Sequence, residues 1–128
     1  MNQVKVSHVK GKLEQELIIG RHHLVADESE SLGGEDNGPA PHDFLVAALG
    51  SCKAITMRMY AQRKNWPLEN AEVLVNLEKE GDLAKFDVKI ELFGALTQEQ
   101  KDRLLEIADR CPVHKTLSGK IEIHSALV

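Results

Sequence analysis

Apolar and polar residues alternate with period two at both ends of the chain and with the helical period in two places between. Residues 3–9 (QVKVSHV) and 13–19 (LEQELII) alternate imperfectly around Lys10, Gly11 and Lys12. They predict a β-hairpin, with a third strand over residues 21–26. Residues 27–41 are dense in Gly, Asp, Glu, Ser and Pro. This stretch predicts a long loop that is either functional or mobile. From Pro41 to Lys64 the period becomes helical, with Leu45, Ala48, Leu49, Cys52, Ile55, Thr56, Met59 and Tyr60 on one template. The first half, FLVAALGSC, is apolar nearly all round, which predicts burial on several sides. Gly50 within it costs ~1 kcal/mol relative to Ala, so a backbone or a substrate is expected to pass close by. Asn65, Trp66 and Pro67 end the helix.

Two strands follow over residues 71–80 and 85–94, turning at Gly81 and Asp82. Phe86, Val88, Ile90 and Leu92 alternate with Asp87, Lys89 and Glu91, giving one buried and one wet face. Thr97 and Gln100 form a capping box that starts a second helix. Pro112 is suited to the first position of a short third helix, which makes Cys111 its N-cap. IEIHSALV, residues 121–128, closes as a strand. The order βββ-α-ββ-α-β predicts an α+β domain with antiparallel sheets. No linker or repeat divides the chain, so a single domain over residues 1–128 is expected at this length.

Composition adds exclusions. A formal charge of −4 leaves no basic footprint for nucleic acid. No apolar run approaches the roughly 20 residues that span a bilayer, and the N-terminus lacks a secretory apolar core. No membrane partner and a cytoplasmic location are therefore expected. In that compartment two cysteines are not a structural staple. They are inert core residues, working thiols or metal ligands.

Cys52 lies deep in its helix, beyond the reach of the N-terminal dipole. Burial alone would keep it a neutral thiol, so reactivity requires a cation brought from elsewhere. Lys53 points off the Cys52 face and Arg58 is nearly two turns on, which leaves Arg21 in the N-terminal β region. Cys111 is better placed by local rules, at a helix N-cap with Arg110 and His114 nearby. Local rules therefore do not decide which thiol attacks first. Cys111 and His114 have a C-x-x-H spacing and His22 and His23 are adjacent, but no second closely spaced pair completes a zinc set. No metal and no cofactor are expected. Glu35 and Asp36 read as ordinary loop charges, and GGEDNG lacks the Lys and Ser/Thr of a phosphate-binding loop.

The segment GGEDNGPAPHDFLVAALGSCKAITMRMYAQRKNWPL, with the later LTQEQKDRLLEIADRCPVHKTL, resembles the OsmC/Ohr family. The features that carry the likeness are a Gly-Pro-x-Pro loop entering a helix with a mid-helix cysteine, and a second cysteine in an A-x-x-C-P-V-H context. The resemblance implies an OsmC-like fold with antiparallel sheets around a long buried central helix, in an intertwined homodimer with active sites at the subunit interface. It implies a thiol-dependent reductase of organic hydroperoxides. Cys52 would be the peroxidatic thiol and Cys111 the resolving one, with their disulfide reopened by a dithiol reductant. Arg21 would activate Cys52, oriented by an acidic residue. The Ohr branch has that acid ten positions before the cysteine, where this chain has His42. Asp43 follows and would take its place, which implies a general OsmC-like branch rather than Ohr proper. The same substitution favours an alternative: an OsmC-fold protein that binds an apolar small molecule or lipid with little turnover. Leu45, Leu49, Met57 and Met59 would line an apolar channel or simply pack.

Overall fold

The computed structural model describes all residues from Met1 to Val128. The chain forms two compact units, Met1–Leu45 and Val46–Val128, with the boundary inside the long helix.

The first unit is a three-stranded antiparallel sheet in the order β1 (Val4–Ser7), β2 (Gln15–Ile19), β3 (His22–Ala26). Ile19 pairs with His22, so Gly20 and Arg21 are the two residues of a tight hairpin turn. Gly20 has φ +61°, the left-handed region that such a turn requires and that glycine enters without penalty. Arg21, expected at the start of the third strand, therefore sits at the turn and is exposed.

The loop after β3 is organised around a buried carboxylate. Asp27 is 3% exposed, and its two oxygens accept from the backbone N–H groups of Glu28 (2.8 Å), Glu35 (3.3 Å) and Asn37 (3.0 Å). These bonds hold its pKa below the ordinary aspartate value, with those from Asn37 and Glu28 acting most strongly. Asn37 also donates to Glu14, which lies on the other side of the loop and is itself buried. A short 3₁₀ turn, Glu30–Leu32, lies within the loop. Its Gly-rich composition thus serves close backbone approach. A Cβ on Gly34 or Gly38 would collide with the backbone carbonyls of Glu28 or Val25.

Helix α1 spans Pro41–Lys64, as its periodicity predicts. Within one chain it buries a single stripe, Leu49, Lys53, Met57 and Ala61, at intervals of one turn. The all-round burial expected of its first half does not occur in a lone chain: Leu45, Ala47 and Ala48 are exposed, as are Ile55 and Met59 further along. Gly50 packs against the side chain of Val75, which an added Cβ would meet at 3.2 Å. The neighbour that this chain supplies is therefore a side chain, where a backbone was one of the two expectations.

In the second unit β4 (Asn70–Glu80) and β5 (Leu83–Phe93) form an antiparallel ribbon that turns at Gly81 and Asp82. Met57, Ala61, Leu68, Leu104 and Ala108 form the core cluster, with Val73, Ile90 and Leu92 of the ribbon packed against it. Helix α2 (Gln98–Ala108) begins with the Thr97–Gln100 capping box, and both of its reciprocal bonds are present. Helix α3 (Pro112–Ser118) follows after a three-residue corner.

The closing strand expected over residues 121–128 does not form in a single chain. Ile121, Ile123, Leu127 and Val128 stay exposed. A strand is made by the backbone beside it, and the segment belongs to neither of the chain's two sheets.

Candidate functional site

The α2–α3 corner and the middle of α1 build the site. α2 ends at Ala108, and the chain turns through Asp109 and Arg110 to Cys111, which has extended backbone angles (φ −66°, ψ 145°). Pro112 then starts α3 with its φ already set for a helix. Cys111 is thus the N-cap expected, and its Sγ accepts from the His114 backbone N–H at 3.4 Å. Cys111 is fully buried.

Cys52 is half-buried on α1, and both cysteines are free thiols. Cys52 is near enough to Cys111 to push its pKa up, so the fold brings together two residues that are distant in the chain. Four influences act on Cys111. Burial pushes its pKa up and is the largest; the His114 N–H pulls it down, the Cys52 thiol raises it and the Lys53 charge lowers it. The net effect is upward, so Cys111 rests as a neutral thiol.

Lys53 is the residue that sequence reasoning missed. Placed off the Cys52 face and set aside, it is 1% exposed and reaches the same corner as Cys52. Its Nζ donates to the Ala108 carbonyl (3.0 Å) and to His114 Nδ1 (2.9 Å), and it pairs with Asp109 Oδ1 at 3.4 Å. Three acceptors match three ammonium protons, which is what a buried lysine needs to stay charged. The C-x-x-H pair therefore does not converge on a shared ligand: the sulfur meets a backbone N–H and the ring meets a lysine. A usable signal was present, since Lys53 sits at one-turn spacing between Leu49 and Met57.

The other expected site residues are placed differently. Asp43 sits in the first turn of α1, where its Oδ2 accepts from the Ala40 N–H at 2.9 Å and its own N–H donates to the Ala40 carbonyl. It caps the helix, and no ion pair joins it to Arg21. His42 is exposed. Arg58 is committed to the carbonyls of Leu68 and Glu69. Met57 is fully buried in the core and Leu49 is buried two turns earlier in the helix stripe, whereas Leu45 and Met59 face solvent. No helix is long and apolar enough to cross a membrane. A cavity of about 370 Å³ in the second unit is lined by Leu49, Phe86, Val88 and Leu117, with Lys53 and His114 in its wall.

No curated protein matches the chain. Among solved structures it resembles an OsmC-like protein from Mycoplasma pneumoniae, with TM-score 0.78 and 15% identity over 93% of this chain and 88% of that one. It also resembles an organic hydroperoxide resistance protein OsmC from Legionella pneumophila, with TM-score 0.66 and 20% identity over 93% and 90%. A third is an organic hydroperoxide resistance protein from Elizabethkingia anophelis, with TM-score 0.69 and 17% identity over 95% and 91%. These likenesses establish the shared α+β fold. The family model for OsmC-like protein matches residues 34–125, a span that runs from the Gly-rich loop past both thiols, and the chain therefore belongs to the OsmC-like family.

Proposed function

We propose that the protein is a thiol-dependent reductase of organic hydroperoxides, acting in the cytoplasm as a homodimer built from the whole chain. The observation that carries this assignment is the nearness of two free thiols, one half-buried and one fully buried. The half-buried Cys52 is open to a peroxide, and the buried, neutral Cys111 is sheltered from it. That asymmetry favours Cys52 as the peroxidatic thiol, which local sequence rules left open.

The chemistry runs in three balanced steps. The Cys52 thiolate attacks the terminal peroxide oxygen, the O–O bond breaks, and the alkoxide takes a proton to leave as alcohol. Cys52 is now a sulfenic acid. Cys111 then attacks that sulfur, giving a Cys52–Cys111 disulfide while its thiol proton and the leaving hydroxide make water. A dithiol reductant supplies the two electrons that reopen the disulfide by exchange. Arg21 provides the cation for Cys52 across the subunit interface, with the remaining carboxylate oxygen of Asp43 orienting it. The exposed row of Leu45, Ile55 and Met59 on α1 and the unpaired segment 121–128 support dimer formation.

The cavity of about 370 Å³, apolar on one side and lined by Lys53, Asp109, His114 and Ser118 on the rest, favours a second reading, in which the fold holds a largely apolar small molecule with little turnover. Thiol titration after one equivalent of cumene hydroperoxide separates the two. Loss of both thiols, abolished in Cys52→Ser, is the result expected of a reductase; two unreacted thiols per chain would leave only binding.

A further inference from the structure

The consecutive residues Cys52 and Lys53 both reach the α2–α3 corner, the first with its sulfur and the second with its charge. Lys53 Nζ holds the last carbonyl of α2 and the His114 ring of α3, and the backbone N–H of that same His114 caps Cys111 Sγ. One buried ammonium therefore ties together the two elements that flank the second thiol.

We infer that Lys53 is a positioning residue for the second thiol: it holds the corner so that Cys111 faces Cys52, and its charge stabilises the Cys111 thiolate as that sulfur attacks. This rests on Cys52 being the first nucleophile, as proposed above. In the resolving step the Cys111 S–H bond breaks, the Cys111 sulfur bonds to the Cys52 sulfenic sulfur, and the S–O bond breaks. The hydroxide released takes up the thiol proton as water. A cation is needed only while the Cys111 sulfur is negative. His114 Nδ1 is engaged by Lys53 and is not free to take the Cys111 proton. The groups facing Cys111 are the Cys52 thiol and the Lys53 ammonium from α1 and the His114 backbone N–H from α3. Asp109 pairs with Lys53 at the corner itself.

The test separates the two steps in the full-length protein. Cumene hydroperoxide is mixed with wild type and Lys53→Met, and the loss of the first thiol and the appearance of the disulfide are followed independently. In Lys53→Met the disulfide step slows about tenfold or more, well beyond any slowing of the first oxidation. Lys53→Arg recovers the disulfide step. Equal slowing of both steps, or none, overturns the inference. The second readout needs no peroxide. In a Cys52→Ser background, iodoacetamide alkylation of Cys111 is followed against pH. Lys53→Met moves its midpoint upward, and an unmoved midpoint overturns the inference. Lys53→Gln, which keeps an N–H donor but drops the charge, gives the same comparison if the methionine variant does not fold. Should wild-type Cys52 prove inert to the hydroperoxide, the assigned function fails, and the alkylation profile alone still decides the role of Lys53.

Discussion

In each unit of the chain a buried charge organises the groups around it, and Asp27 and Lys53 are satisfied in different ways. In the first unit Asp27 takes three backbone N–H groups, all supplied by residues 28–37 of the loop it opens. In the second, Lys53 reaches a carbonyl, an imidazole and a carboxylate that lie 55 to 61 positions away. A buried ion satisfied by its own loop shapes that loop. One satisfied across separate helices fixes their mutual placement, and here it does so beside two thiols. Burial of charge is therefore a weak guide to function by itself; what matters is whose groups answer it.

That contrast can be broken or sharpened by experiment. The largest effect expected is at Arg21, the exposed cation through which the first unit would enter the chemistry. Arg21→Ala should slow Cys52 oxidation on the order of a hundredfold, as the loss of a charge-stabilising donor does elsewhere, with little change in thermal midpoint. Stopped-flow oxidation rates that match wild type would confine the chemistry to the second unit.

A smaller effect is expected at Asp27. Its folded pKa is depressed, so its stabilising contribution is present above the ordinary aspartate range, near 3.9, and is lost as pH falls through the folded value. Hydrogen exchange at Glu28, Glu35 and Asn37 should rise together in acid, and Asp27→Asn should raise it at neutral pH while removing the acid dependence. Slow exchange at all three amides in that variant would show that the loop does not depend on the charge. Cys111 has the opposite sign. Its folded pKa is raised, so the stability it contributes is complete below the ordinary thiol range, near 8.5, and declines as pH rises toward the folded value. The reduced protein should lose thermal stability above about pH 8.5, and Cys111→Ala should flatten that decline. The smallest effect belongs to Gly50→Ala. A gain of ~1 kcal/mol in helix propensity is set against crowding of Val75, so the change in unfolding free energy should stay within about 1 kcal/mol of zero.

Much of this was legible in the residues. The helical period carried α1 from Pro41 to Lys64, Thr97 and Gln100 announced the start of α2, and Pro112 marked Cys111 as a cap. These signals are local, written by neighbours within four positions. What could not be read depends on distant groups. Lys53 was set aside as pointing off the Cys52 face because its acceptors enter only at Ala108, Asp109 and His114. Asp27 passed for a loop residue because the N–H groups that gather on it belong to unremarkable positions. Residues 121–128 show strand alternation without forming a strand, since alternation describes the faces of a strand and says nothing of where its neighbour comes from.

That C-terminal segment has a practical consequence. An edge of unpaired backbone donors and acceptors that also carries isoleucine is adhesive, and it accepts any free strand of suitable register. In the proposed homodimer a partner would cover this tail; a chain diluted until it stands alone would expose it to proteases and to irregular clumping, so storage life and yield should improve as concentration favours that pairing.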